Sequence, residues 1–359
     1  MSGRRFLDGL ERRAAETLAE PVYRYVRQGA RDGVTTAEAS SAWDRFRFRP
    51  RVLRDVSAVD TATSLLGTEV RAPLAVAPTS MQRAVHPDGE LAMARAVAGS
   101  GSLMVLSSNA GATFEEIAAT GVAWWLQMYV TADRAATRPL LQSAVDAGAR
   151  AIVLTADTPI VGTKYDGEGP TAWEIAEPGW SHVNFPPGHG GAAGDLKATD
   201  LGPRDVEWLA ATTGLPVVVK GVLRGDDARR CVEAGAGAVW VSNHGGRQLD
   251  YASASADCLA EVVAEVGDAS EVYVDGGVRE ARHVLAALAL GARAVFLGRL
   301  PLYGLAVEGA SGVARVLADL ERELVDALML AGCASTSTVP RDLVAPWADP
   351  APTIGTTPL

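Results

Sequence analysis

From residue 71 onward, short β-branched apolar runs alternate with stretches of helical spacing, the cue for parallel βα units. Eight such runs are predicted as strands: Pro73–Pro78, Leu103–Ser107, Trp124–Val130, Ala151–Ala156, Pro216–Lys220, Ala238–Ser242, Glu271–Asp275 and Ala294–Gly298. A weak internal repeat supports the count, because AGARAIVLTAD (147–157), AGAGAVWVSN (234–243) and LGARAVFLGR (290–299) share one design of helix end, glycine and strand. Gly148, Gly235 and Gly291 suit the left-handed residue that ends a helix. Eight units close a (β/α)8 TIM barrel, here about residues 71–332 of a single 359-residue domain.

Ahead of the barrel, Phe6, Leu7, Leu10, Ala14 and Leu18 form one helical stripe, and Val22, Tyr23 and Val26 continue it after Pro21, so N-terminal helices precede the barrel. Beyond it, Val313, Val316, Leu317, Leu320, Leu324 and Leu328 predict a C-terminal helix packed on the barrel. The longest interruption, about 160–203, follows the fourth strand and is expected to cover the strand ends as a mobile loop. Its Gly- and Pro-rich part is 185–203, and TAWEIAEPGW (171–180) offers an apolar lid. The Pro-rich tail after Pro340 is expected to be extended and is assigned no role.

Composition narrows the classes. A chain with 48% hydrophobic and 21% charged residues can bury one large core, and a net charge of −10 argues against a nucleic-acid partner. Cys231, Cys258 and Cys333 lack CxxC spacing, which favours buried reduced thiols over disulfides or a metal site. The N-terminus has no apolar run long enough for a signal peptide, and no 18-residue apolar span occurs. The expectation is a cytoplasmic protein that does not enter a membrane.

In a barrel, polar residues at the carboxyl ends of the strands line one site. The sixth strand runs into Asn243, His244, Gly245, Gly246 and Arg247. There a titratable imidazole and a guanidinium shaped for a carboxylate stand on glycines that let backbone approach a ligand, although an HGGR turn with an exposed histidine reads equally well alone. Gly276, Gly277 and Gly298, with Arg279 and Arg299, suit a phosphate after strands seven and eight. Lys220 can hold positive charge against an electron-accepting ring, and Ser107, Gln127 and Thr155 offer hydrogen bonds to its edges. Those requirements describe FMN. No GxGxxG opens a helix after a first strand, so Rossmann-type NAD binding is not supported. Lys220 could instead form a Schiff base in a barrel lyase. His182 and His189 read as solvated loop histidines.

SNHGGRQLD (242–250) resembles the signature of the FMN-dependent α-hydroxy acid oxidase and dehydrogenase family, and the similarity runs from about Tyr23 to about Gly332. The resemblance implies FMN held by Ala77, Pro78, Thr79, Ser107, Gln127, Thr155, Lys220 and Ser242 around the ring and ribityl chain. Asp275, Gly277, Arg279, Gly298 and Arg299 are implied at its ribityl and phosphate end. It further implies His244 as the base, Asp157 as the partner of its imidazolium, Arg247 and Tyr25 on the substrate carboxylate, and Tyr129 on the substrate hydroxyl. Taken alone, Tyr25 reads as a core residue of an amphipathic helix. The implied activity is oxidation of an α-hydroxy acid to the α-keto acid, with O2 as the expected acceptor and a homotetramer as the expected assembly. An inactive flavin-binding barrel is the non-enzyme alternative.

Two positions depart from that family. After strand four it usually reads TPxxGRR, whereas this chain has Thr158-Pro159-Ile160-Val161-Gly162-Thr163-Lys164, so Lys164 replaces an arginine near the substrate. Asn109 stands where glycolate-type members often carry an aromatic residue. Both are expected to line the substrate cavity and to favour a hydroxy acid larger than glycolate or lactate, although Lys164 could also point to solvent.

Overall fold

Parallel strands this apolar need cover on both faces, and the chain supplies it by closing the sheet on itself inside a ring of helices. The computed structural model describes residues 5–165, 167–186 and 196–346. The barrel strands are β1 (Leu74–Val76), β2 (Leu103–Ser107), β3 (Ala123–Met128), β4 (Ile152–Thr155), β5 (Val217–Val222), β6 (Ala238–Val241), β7 (Glu271–Val274) and β8 (Ala294–Leu297). They pair in parallel in chain order, and β8 pairs back onto β1. All eight predicted runs are strands, with boundaries displaced by at most two residues. Gly148, Gly235 and Gly291 take φ of 90°, 84° and 102°, the left-handed region read from the repeat.

The barrel is filled by side chains. Trp125, Trp240, Tyr273 and Phe296, from β3, β6, β7 and β8, form an aromatic plug in which the Trp240 and Phe296 rings lie 4.0 Å apart. A hairpin absent from the sequence reading, Thr63–Leu65 with Thr68–Val70, adds Leu65 and Val70 to this cluster, with Leu66 beside Gly237 and Glu271 at the starts of β6 and β7. Apolar side chains occupy the interior up to the plug, which leaves the carboxyl ends of the strands as the place where polar groups gather.

Three helices precede the barrel: α1 (Leu10–Thr17), α2 (Glu20–Arg27) with Pro21 in its first turn, and α3 (Val34–Asp44). The C-terminal helix, Arg299–Ala331, breaks at Glu308–Gly309 and buries the whole predicted stripe from Val313 to Leu328. The start of the tail is more than an extended end, because Val344–Pro346 pairs antiparallel with Phe46–Phe48. His189 and the tail beyond residue 346 lie outside the described residues. Cys231, Cys258 and Cys333 are free thiols, and among the described residues no helix is long and apolar enough to cross a membrane.

The loop after β7 presses on α3. Gly277 sits at φ 73°, and a Cβ there would lie 2.0 Å from the Ala39 carbonyl oxygen, whereas Gly214, at φ 68°, has nothing within 4 Å. Gly214→Ala should therefore cost only the left-handed penalty, about 1 kcal/mol. Gly277→Ala should cost upwards of about 2 kcal/mol because α3 must also move. Unfolding midpoints of the two variants check this, and equal losses would show that α3 does not bear on the loop.

Candidate active site

β6 carries outward Val239 and Val241 and inward Trp240, and the chain then turns sharply. His244, Gly245 and Gly246 all have positive φ, 58°, 65° and 74°, and the Asn243 side chain closes the turn by accepting the Gly246 amide at 3.2 Å. A non-glycine residue in this conformation is strained, and such strain concentrates at functional sites. Here the turn aims the imidazole across to the end of β4, where His244 Nδ1 meets Asp157 Oδ1 at 2.9 Å. Thr158 Oγ1 also donates to that oxygen, at 3.0 Å. β5 makes room for the carboxylate: its pairing with β6 shifts register around Gly221, φ 109°, where a Cβ would lie 2.6 Å from Asp157.

The electrostatics assign protons to this pair. Burial depresses the His244 pKa, the Asp157 charge opposes the drop, and Lys220 and Arg247 add to it, so the imidazole is neutral at neutral pH. Burial pushes Asp157 up, but His244, Lys220 and Thr158 outweigh it and the carboxyl lies below its ordinary value. With Asp157 ionised, Nδ1 carries the proton and donates it in the hydrogen bond, which leaves Nε2 as a lone-pair acceptor. Burial and the Asp157 charge push the Tyr129 phenol well up, so it keeps its proton.

The other predicted residues gather around two adjoining cavities. The first is lined by Ala77, Pro78, Thr79, Ser107, Gln127, Thr155, Lys220, Asp275, Gly277, Arg279, Gly298 and Arg299. Of the predicted cofactor set, only Ser242 is not on its wall; it is fully buried behind, accepting from Lys220 Nζ at 2.8 Å and from the His244 amide at 3.0 Å. Lys220 is buried and paired with Asp275 Oδ2 at 3.3 Å, while Asp275 Oδ1 is buried with no partner. Gln127 Nε2 donates to Thr155 Oγ1 at 2.9 Å. Arg299 donates to the Val26 and Gln28 carbonyls at the end of α2, and burial with the Arg247 and Arg279 charges lowers it to about 10.

The second cavity, about 550 Å3, shares Tyr25, Ser80, Tyr129, His244 and Arg247 with the first and adds Asn109 and Lys164. Arg247 reaches it by folding over the Tyr25 ring, 4.9 Å from its centroid, with Nη1 donating to the Tyr25 and Gln28 carbonyls at 2.7 and 2.9 Å. Lys164 does not point to solvent; its ammonium donates to the Gly162 and Arg247 carbonyls at 2.5 and 2.6 Å. Asp157 lies behind His244 and lines neither cavity. The excursion after β4 contributes Trp173, edge-on to Tyr25 at 5.8 Å, and His182, exposed but with its ring tilted against Trp173 at 6.2 Å on the cavity wall. The sequence reading missed Lys197, which sits 3.8 Å above the Tyr129 ring, because nothing local marks an isolated lysine in a Gly-rich excursion.

Known proteins are similar to this chain in sequence and fold. The family pattern described as FMN-dependent dehydrogenase matches residues 14–346. Human 2-hydroxyacid oxidase 1 is 41% identical over 353 residues, covering 94% of this chain and 95% of that protein. L-lactate oxidase of a Nostoc species is 41% identical over 349 residues, covering 92% and 94%. A crystal structure of mandelate oxidase with 2-hydroxy-phenylacetamide matches with a TM-score of 0.87 at 38% identity, covering 96% of this chain and 99% of that one. Another mandelate oxidase structure, with a C4a-OH-FMN adduct, matches with a TM-score of 0.86 at 38% identity, covering 94% and 98%. The chain belongs to the FMN-dependent dehydrogenase family and is an oxidoreductase with FMN as its cofactor. The residues present fit that group: glycine backbone and two arginines for a phosphate, the unpartnered Asp275 Oδ1 for a hydroxyl, and a buried cation for an electron-rich ring.

Proposed function

We propose that this chain oxidises a 2-hydroxy acid to the 2-keto acid, with O2 as the final acceptor and hydrogen peroxide as the second product. The observation that carries the reading is the shared wall of the two cavities. A neutral His244 backed by ionised Asp157, and Arg247 over Tyr25, face one space that opens onto the flavin site. Arg247 and Tyr25 bind the 2-carboxylate, Tyr129 hydrogen-bonds the substrate hydroxyl, and His244 Nε2 takes a substrate proton. Asp157 then holds the resulting imidazolium by the bond it already makes. FMN, when bound, supplies the two-electron sink, with Ala77, Pro78, Thr79, Ser107, Gln127, Thr155 and Lys220 around it and Asp275, Gly277, Arg279, Gly298 and Arg299 at its phosphate end. Ser242 acts through Lys220 and the His244 amide. The oxidase names of the relatives support O2 as acceptor, and the 550 Å3 cavity supports a substrate larger than glycolate or lactate. Family resemblance supports a homotetramer, and the three free thiols support a reducing, cytoplasmic setting.

Anaerobic titration with hydroxy acids tests the reading: the bound flavin should bleach, and air should restore its colour with one peroxide per turnover. A yellow protein that no hydroxy acid bleaches would instead be an inactive flavin barrel, and trapping of a carbonyl substrate on Lys220 by borohydride would indicate a lyase. His244→Ala should keep FMN and lose at least about a thousandfold in turnover, within the range for a general base. Arg247→Lys should lower kcat/KM by about tenfold or more, because an ammonium cannot reproduce a two-point grip on a carboxylate.

The pH dependence follows from the sign of the His244 shift. A depressed pKa places the rising limb of kcat/KM below the ordinary histidine value of about 6.5, with a plateau through neutrality. The Asp157 charge raises the His244 pKa, so Asp157→Asn should move that limb further toward acid while lowering the plateau by about a hundredfold or more. A limb that moves toward alkali would break the assignment.

A further inference from the structure

The cations around the substrate cavity are not equivalent. Arg247 is tied to α2 and Lys164 to two backbone carbonyls, while Arg24 donates to the Glu168 and Pro170 carbonyls and pairs with Glu20. Lys197 is different. Its backbone is fixed by an antiparallel bridge to Thr131, just beyond β3: the Ala132 amide donates to the Leu196 carbonyl at 2.7 Å and the Ala198 amide to the Val130 carbonyl at 2.8 Å. Its side chain leaves that bridge to lie over the Tyr129 ring, half-buried on the wall that carries His244 and Arg247. Among the described residues its ammonium has no carboxylate or carbonyl partner. An aromatic face compensates a desolvated ammonium only in part, and the one carboxylate that acts on it, Asp157, lies behind His244.

We infer that Lys197 is a specificity residue that binds a second anionic group, so that the preferred substrate is a 2-hydroxy acid carrying a distal carboxylate. The inference rests on the proposed reaction. Arg247 and Tyr25 take the carboxylate next to the reacting carbon, and Lys197, on the Tyr129 wall, takes the far one. A dicarboxylate then supplies the counter-charge that the described residues do not. A neutral tail of the same length leaves the ammonium buried and unpaired, which disfavours it as well as failing to attract it.

The test uses the holoenzyme and anaerobic flavin reduction, comparing 2-hydroxyglutarate with 2-hydroxyhexanoate, a pair of similar length that differs in the distal charge. Wild type should favour the diacid by about ten- to a hundredfold in reduction rate over apparent Kd, the range for a hydrogen bond to a charged group. Lys197→Met should erase or invert that ratio, and Lys197→Arg should retain it. A wild type that prefers the neutral tail overturns the inference. So does a Lys197→Met ratio within about twofold of wild type, which would mean that the lysine serves both substrates alike or only props up Tyr129. If neither of these acids nor any other hydroxy acid reduces the flavin, the proposed reaction itself fails and this assignment falls with it. Reduction by monocarboxylates alone leaves the reaction standing and removes Lys197 from specificity.

Discussion

The constraint on which this site depends is the left-handed turn after β6. Holding His244, Gly245 and Gly246 at positive φ sends the imidazole to Asp157 and releases Arg247 on the opposite side toward α2. A residue such as His244 is strained there by about 1–2 kcal/mol, and the surrounding hydrogen bonds offset it. The Gly245 and Gly246 carbonyls accept from Thr36 Oγ1, and Gly246 also accepts the Ala30 amide at 2.8 Å. His244, Arg247 and the N-terminal segment that carries Tyr25 are thus set by one backbone conformation.

Helix α3 extends that constraint to the other end of the site. Its start is capped by the Asp250 carboxylate, which accepts the Gly33 and Thr35 amides at 3.0 Å each. Thr36 grips the catalytic turn, and further along Ser40 Oγ donates to the Gly277 carbonyl at 2.6 Å and Trp43 Nε1 to the Gly276 carbonyl at 2.8 Å. His283 completes the contact, with Nδ1 accepting the Arg279 amide and Nε2 facing Asp44 at the end of the helix. One helix outside the barrel therefore braces both the turn that carries His244 and the glycine loop suited to a phosphate.

This division explains what the sequence made legible. The barrel showed in eight apolar runs and recurring glycines, and the site showed because its polar residues lie directly at strand ends, where chain order and spatial order coincide. α3 did not show, because VTTAEASSAWD has no sharp apolar stripe and works through side chains that reach carbonyls more than two hundred residues away. The Thr63–Val70 hairpin escaped because three-residue strands carry almost no pattern. Lys164 lines the second cavity where the sequence places it, but its hold on the Gly162 and Arg247 carbonyls is a long-range contact that the sequence does not reveal. Lys197 depends on a long-range bridge to Thr131, beyond the end of β3, that no local periodicity encodes.

The charges also fix the order of events in the proposed reaction. Burial holds His244 in its neutral form against the pull of Asp157, and the Lys220 and Arg247 charges add to it. Lys220 is already paired with Asp275, but among the described residues the Arg247 guanidinium meets only neutral carbonyls and the Tyr25 side chain. A substrate carboxylate on Arg247 cancels most of that cation's field at the imidazole and adds a negative charge of its own. Both changes raise the proton affinity of Nε2. The base is therefore weak while the cavity holds water and strengthens when a hydroxy acid arrives, so the anion that positions the substrate also prepares His244 to receive its proton.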